Sequence, residues 1–213
     1  MQGYTESPQC PSYRRSKKTV QVVILGGPGA GKGTQAQRLS QYFQVPQLST
    51  GDLLRESVTA QSAPGSPLAV LTERAKPYVA RGELVPDELM IDFIRDRLSQ
   101  PAFAAGWVLE GYPRTAFQAE ELDFLLEDLG HRLERAIWLE VPESVMLARC
   151  QQRARVDDDP AIVERRLHNL EAYTSPLLDY YGYQNRLLRV AGDNSPEQVE
   201  SEILKALKFG EES

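Results

Sequence analysis

Cysteine and histidine are scarce in this chain of 213 residues, with two of each. Cys10 and Cys150 are too few for a disulfide scaffold or a four-cysteine zinc site, which fits a reducing compartment. His131 and His168 have no ligand cluster beside them and read as surface residues, not catalytic bases. An excess of positive charge is also missing: Lys plus Arg total 24 against 30 Asp plus Glu, a net charge of −6. Nucleic-acid binding in general needs a positive field, so that class is disfavoured. No run approaches the ~20 apolar residues of a membrane-spanning helix. The segment Met1 to Lys18 ends in Arg14, Arg15, Lys17 and Lys18 and has no apolar stretch of the secretory type. Residues 1–18 are expected to be a disordered tail.

What is present is ordinary globular composition, 41% hydrophobic and 25% charged. The length suits one domain with room for an inserted lobe. Short apolar runs recur: Val20 to Leu25, Pro46 to Leu48, Trp107 to Leu109, Ala136 to Val141 and Leu187 to Val190. Helical composition lies between most of them, over Thr34 to Phe43, Pro86 to Ser99, Ala116 to Leu129, Glu143 to Gln152 and Pro160 to Tyr181, then Pro196 to Leu207. Strands alternating with helices predict an α/β fold with a parallel sheet. Ser49 to Val85 interrupts the alternation and carries the breakers Pro64-Gly65-Ser66-Pro67, Pro77 and Gly82. It reads as a small helical lobe, and Gln152 to Asp158 as a loop between helices.

Between the first strand and first helix stands Gly26-Gly27-Pro28-Gly29-Ala30-Gly31-Lys32-Gly33-Thr34. Glycines let successive backbone N–H groups turn inward as a nest for phosphate oxygens, and the following helix adds its positive end. Lys32 is placed to reach the β- and γ-phosphates. The strict phosphate-loop pattern has Ser or Thr directly after the lysine, whereas here Gly33 intervenes before Thr34.

That variant is similar to the nucleoside monophosphate kinases, and four further motifs follow in the family's order. They are Leu48-Ser49-Thr50-Gly51-Asp52-Leu53-Leu54-Arg55, then Arg81-Gly82-Glu83-Leu84-Val85-Pro86-Asp87-Glu88, then Glu110-Gly111-Tyr112-Pro113-Arg114-Thr115, and Arg155-Val156-Asp157-Asp158 with Arg166 downstream. The chain resembles an adenylate kinase with a short lid. The resemblance implies a P-loop nucleotide-binding fold: a five-stranded parallel sheet flanked by helices, with a helical monophosphate-binding lobe. Residues 19–48, 86–151 and 159–208 are expected to form the core, 49–85 the acceptor lobe, and 152–158 a short lid without zinc.

It also implies reversible, Mg²⁺-dependent transfer of the ATP terminal phosphoryl group to AMP, giving two ADP. Such chemistry gathers many negative oxygens, so catalysis is mostly positioning and charge neutralisation, for which guanidinium groups are suited. The residues implied as catalytic are Lys32, Arg114, Arg153, Arg155 and Arg166. ATP would lie against Gly29, Ala30, Gly31, Lys32, Gly33 and Thr34, with Arg149 on its adenine, Arg153 on phosphate and Asn194 in the loop after the last strand. AMP would meet Thr50, Arg55, the backbone of Glu83, Leu84 and Val85, the stretch Gly111, Tyr112, Pro113 and Arg114, then Gln118, Arg155 and Arg166. Asp157 and Asp158 would order the closed lid through arginine pairs, and Arg165 would face solvent. Pyrimidine monophosphate kinases commonly have alanine for Thr50 and asparagines for Thr115 and Gln118, so the three residues point to AMP. Thr115 also reads as a helix N-cap before Ala116, and Gln118 offers the donor and acceptor that an adenine edge requires.

Two positions depart from the family. Glu110 stands where Asp is usual and would act on water around Mg²⁺, whose near-octahedral shell makes placement matter. Its extra methylene can slow the chemistry. Tyr112 stands where Phe is usual and would bring a hydroxyl near the acceptor. The alternatives are a UMP/CMP or other monophosphate kinase, and a slowed nucleotide-binding regulator. A GTPase switch is disfavoured by the lack of an Asn-Lys-x-Asp motif. The partners implied are AMP and ADP, with no nucleic acid and no membrane, for a cytoplasmic monomer.

Overall fold

The computed structural model describes residues 20–59, 67–81, 83–153 and 158–209. The expected tail, the Pro64-Gly65-Ser66 and Gly82 punctuation, and most of the expected lid, with Arg155 and Asp157, lie outside the described residues. Five strands, β1 (Val20–Leu25), β2 (Gln47–Ser49), β3 (Gly106–Glu110), β4 (Arg135–Glu140) and β5 (Leu187–Ala191), form one parallel sheet in the order β2-β3-β1-β4-β5. Helix α1 (Lys32–Phe43) joins β1 to β2, and α2 (Thr50–Thr59), α3 (Pro67–Arg81) and α4 (Asp87–Leu98) lead on towards β3. Helix α5 (Ala116–Asp128) precedes β4, α6 (Glu143–Arg153) and α7 (Pro160–Tyr183) precede β5, and α8 (Pro196–Phe209) follows it.

The central strand shows why the sheet is covered on both faces. Val20, Val22 and Ile24 pack with Leu39 of α1 and Ile203 of α8, while Val23 and Leu25 pack with Ile94 of α4 and Leu122 of α5. A parallel strand buried on both sides is apolar throughout instead of alternating. Each such aliphatic side chain contributes about 1.5–3 kcal/mol by leaving water. The polar exception is Gln21, buried at the start of β1. Its side chain bonds His131 Nδ1 at 2.8 Å and accepts the Arg132 N–H at 3.1 Å. His131 is therefore a half-buried partner of Gln21 and not a plain surface residue, whereas His168 is exposed.

Pro77 does not break the chain. It sits inside α3, which continues to Arg81. An interior proline forfeits one helical hydrogen bond, and burial of Leu71 and Ala75 on the same helix offsets that loss. Pro176 is likewise inside α7, and Pro67 opens α3, where its missing N–H costs nothing. The remaining elements lie within two residues of their expected bounds.

The topology places the site. From β1 the chain moves to β3 and β2 on one side and to β4 and β5 on the other. The loop after β1 thus opens at the point where strand order reverses, at the carboxyl ends of the strands, where such sheets bind ligands.

Candidate active site

The glycine-rich loop wraps the start of α1. Gly29 has φ +77°, and a Cβ there would stand 2.5 Å from the Met146 carbonyl oxygen of α6. Both the backbone twist and the close approach of a neighbouring backbone demand glycine. Lys32 Nζ donates to the Gly27 carbonyl at 2.7 Å, so the ammonium is folded over the loop. Burial pushes its pKa down from 10.5 to about 8. The Glu110 carboxylate opposes that shift, and the Arg114 and Arg153 guanidiniums reinforce it.

Register brings the next group to the loop. Ser49 of β2 and Ile24 of β1 both pair with Glu110 of β3. Glu110 is buried, and its Oε1 accepts a short hydrogen bond from the Ser49 hydroxyl. A Cβ on Gly33 would lie 4.0 Å from the same oxygen, so the carboxylate faces the turn that opens α1. The Ser49 Oγ in turn accepts the Asp52 N–H at 3.2 Å at the start of α2. Thr50, also buried, donates to the Glu110 carbonyl at 3.4 Å.

Across the cleft, Arg114 Nε donates to the Gly111 carbonyl at 2.9 Å, which folds the guanidinium back along its own loop. Thr115 caps α5 by accepting the Gln118 N–H at 3.1 Å. The Gln118 Oε1 accepts the Arg114 N–H at 2.7 Å, and its Nε2 donates to Asp87 Oδ1 at 2.7 Å. Glu83 pairs its carboxylate with Arg81 at 2.8 Å, a hydrogen bond that holds its carboxyl below the ordinary range. The Tyr112 hydroxyl corrects an expectation. It is buried in the core and donates to the Gln118 carbonyl at 3.1 Å, so it does not line the cleft. Burial pushes its pKa up, and it stays a phenol.

Arginines close the other wall. Arg149 of α6 donates to the carbonyls of Gly192 and Asp193 at 2.9 and 3.4 Å, tying that helix to the loop holding Asn194. Arg153 grips the buried Asp158 with two N–H groups at 2.9 and 2.5 Å. Arg165 is exposed as expected, but it donates to the Arg81 carbonyl at the end of α3 at 2.7 Å. Phosphate-loop residues, Thr50, Glu83, Leu84, Val85, Arg114, Gln118, Arg149, Arg153, Arg166 and Asn194 all line a single cleft of about 860 Å³.

Residues 24–186 match the family model described as Adenylate kinase. Among curated proteins, Adenylate kinase 2 of Nostoc sp. is 52% identical over 188 residues, covering 88% of this chain and 98% of the relative. Adenylate kinase 2 of Synechocystis sp. is 47% identical over 188 residues, covering 88% and 100%. An adenylate kinase of Xanthomonas campestris is 42% identical over 192 residues, covering 88% and 99%. The chain belongs to the adenylate kinase family. It is accordingly a nucleotide-using phosphotransferase with the P-loop fold.

Measured against that family reading, the cleft gathers most of the residues expected to act. Gly29 to Thr34, Gly111 and Pro113 line it together with the groups named above. Tyr112 is set behind the wall. Arg55 lies on α2 with its side chain outside the described ones, and Arg155 is outside the described residues altogether. Ser49 and Asp87 were not singled out by sequence reasoning, though both lie within quoted motifs. A short hydroxyl residue at the end of a strand and an acidic residue in a first helical turn have ordinary structural readings. Only the pairing with Glu110 and with Gln118 gives them roles.

Proposed function

We propose that the chain catalyses reversible phosphoryl transfer, ATP plus AMP giving two ADP, with Mg²⁺. One observation carries this reading. A single cleft is lined both by the phosphate loop and by Thr50, Glu83, Leu84, Val85 and Gln118. Two nucleotides meeting phosphate to phosphate need such an undivided space. The family relatives support the same activity.

In this reading an AMP phosphate oxygen attacks the terminal phosphorus of ATP. The bond from that phosphorus to the bridging oxygen breaks, and the electron pair leaves on ADP. No side chain serves as nucleophile. The loop N–H groups and Lys32 hold the donor phosphates, Arg149 and the Asn194 loop flank the donor base, and Arg153 and Arg166 take the charge of the transferring group. Arg55 and Arg114 hold the AMP phosphate, Arg155 joins Arg166 between the two nucleotides, and Thr50, Gln118 and the backbone of Glu83 to Val85 receive the AMP base. The stretch 49–85 acts as the acceptor lobe and 152–158 as the lid, closing to exclude water so that ATP is not hydrolysed.

The residues near the loop suit Mg²⁺. Glu110 Oε1 faces the turn at Gly33, and Thr34 adds a hydroxyl in the cleft, both hard oxygen donors. Those two residues would steady an ion carried by ATP, and the ion would neutralise phosphate charge. No helix among the described residues is long and apolar enough to cross a membrane. We read the chain as a cytoplasmic monomer acting on free nucleotides.

ADP formation from MgATP with AMP, GMP, CMP or UMP tests the reading. Fast turnover with AMP alone is expected. Equal turnover with UMP or CMP would overturn it.

A further inference from the structure

Gln118 is held at both ends of its amide by groups whose hydrogen-bond sign cannot change. Its Oε1 accepts from the Arg114 backbone N–H at 2.7 Å, and its Nε2 donates to Asp87 Oδ1 at 2.7 Å. A backbone N–H can only donate, and an ionised carboxylate can only accept. One of the two amide orientations satisfies both. The other sets an amide oxygen against a carboxylate and an NH₂ group against an N–H. Gln118 is 2% exposed, so little water is at hand to relieve that mismatch.

Asp87 is itself fixed. It stands in the first turn of α4, where the helix N-terminus favours a carboxylate. Its Oδ2 accepts from the Thr115 hydroxyl at 3.4 Å, and that hydroxyl accepts the Gln118 N–H. The loop before α5 and the first turn of α4 therefore cooperate on one amide.

A glutamine amide has two N–H groups and two lone-pair directions. Asp87 and Arg114 use one of each. One N–H and one lone pair remain for a ligand in the cleft that Gln118 lines. With the amide orientation fixed, their order along the edge is fixed too. Adenine offers an acceptor at N1 beside a donor at its 6-amino group. Hypoxanthine and guanine offer the reverse, a donor N1–H beside an acceptor O6.

We propose that Asp87, together with the Arg114 N–H, selects the acceptor base as a 6-aminopurine over a 6-oxopurine by fixing the orientation of the Gln118 amide. Asp87 is a positioning residue. It acts on the base through Gln118. The order of donor and acceptor matters because the phosphate grip fixes which way round the base lies. The inference rests on the reading of this end of the cleft as the acceptor site.

AMP and IMP differ only along this edge, so the ratio of their kcat/KM values with MgATP reads the amide directly. The wild-type ratio is expected to exceed roughly 100, as sites built around buried polar groups reject a mismatched edge strongly. Asp87→Asn keeps the shape but offers an N–H as well as an oxygen, so position 87 accepts either amide orientation and the Arg114 N–H alone opposes the flip. It should narrow the ratio on the order of tenfold, the worth of a hydrogen bond to a charged group. IMP turnover should rise while AMP turnover falls, and KM for ATP should hold. A merely structural role would lower both acceptors together. Gln118→Leu, measured alongside, should abolish the preference.

If Gln118→Leu abolishes the preference but Asp87→Asn leaves it intact, this inference falls and the acceptor-site reading stands. If Gln118→Leu also leaves it intact, or the wild type uses IMP as well as AMP, both fall. Melting curves accompany each variant. Should Asp87→Asn not stay folded at the assay temperature, Asp87→Glu carries the test. It keeps an acceptor-only group and must hold the wild-type ratio, and a collapsed ratio there overturns the inference.

Discussion

Ser49 and Glu110 stand abreast at the carboxyl ends of β2 and β3, and the Ser49 hydroxyl donates to the Glu110 carboxylate in a buried, short hydrogen bond. The family usually has aspartate at position 110, and the extra methylene of glutamate needs something to steer it. Ser49 supplies that, and through the Asp52 N–H it also ties the carboxylate to the first turn of α2. Ser49 thereby links the end of β3 to the first turn of α2, and the carboxylate oxygen it holds faces the turn at Gly33.

Removing the hydroxyl should therefore affect both stability and rate. Ser49→Ala leaves the buried carboxylate with one donor fewer, a loss of about 1.5–3 kcal/mol for a hydrogen bond to a charged group. Denaturant unfolding checks this. The unsteered carboxylate should also lower kcat, by up to ~10² if its placement matters as expected, with little change in KM for either nucleotide. Glu110→Gln should lower kcat at least as far. Wild-type kcat in both variants would show that the carboxylate has no part in the reaction.

Lys32 predicts a pH dependence. Burial brings its pKa to about 8 in the nucleotide-free chain. Donor phosphates favour the charged ammonium, so ATP binding should take up a proton above pH 8. Affinity for ATP should be flat below pH 8 and weaken above it, approaching tenfold per pH unit. Calorimetry in buffers of different ionisation enthalpy measures the uptake directly, and Lys32→Met should remove it. The sign for stability is opposite. Between pH 8 and 10.5 the unfolded chain holds more protons at this lysine than the folded one. This group therefore makes the nucleotide-free fold gain stability as pH rises through that window. An ATP affinity that stays flat to pH 9.5 would show that the lysine is not paired with phosphate.

Gly29 and Gly130 form an internal comparison. Both have positive φ, +77° and +69°, but a Cβ at Gly29 meets the Met146 carbonyl while one at Gly130 meets open space. Gly130→Ala should cost only the left-handed backbone strain, about 1–2 kcal/mol, with ATP binding unchanged. Gly29→Ala must also displace α6 or reshape the phosphate loop. It should lose more stability and raise KM for ATP more than ~10-fold. Melting curves and ATP titration of the pair separate the two effects, and equal behaviour would remove the special role given to the close approach.

Local chemistry made most of the fold legible in the sequence. The apolar run of β1 and the glycines after it announce a buried parallel strand entering a phosphate loop, and the strand–helix alternation names the layers. Thr115 was readable as a cap because its partner is three residues away. What was not legible depends on partners far along the chain. Ser49 finds Glu110 across 61 residues, Gln118 finds Asp87 across 31, and Gln21 finds His131 across 110. No periodicity encodes such pairs. Pro77 misled for a related reason, since tertiary burial of Leu71 and Ala75 outweighs a local penalty. The Tyr112 hydroxyl was misplaced because a backbone carbonyl as acceptor leaves no trace in residue type.

Arg153 and Asp158 offer the last test, at the edge of the proposed lid. Arg153 ends α6, and Asp158 stands two residues ahead of α7, so their two-pronged contact clamps both ends of the connecting segment. The Asp158 side chain is 2% exposed while that of Arg153 is 32% exposed. The pair therefore lies between a weak surface bridge and a fully buried one, and the solvent around Arg153 discounts its worth to about 1–2 kcal/mol. Asp158→Ala should lose that much stability, and the loss should change little with salt because the carboxylate is buried. Two donors of the guanidinium fork are committed to Asp158, and that commitment orients the rest of the fork in the cleft. Its removal should lower kcat on the order of tenfold, with KM for AMP unchanged. Asp158→Glu keeps the charge and should recover part of the rate. A variant that loses stability but keeps full kcat would reduce the pair to a clamp on the chain, and the role proposed for Arg153 on phosphate would then need no orienting partner.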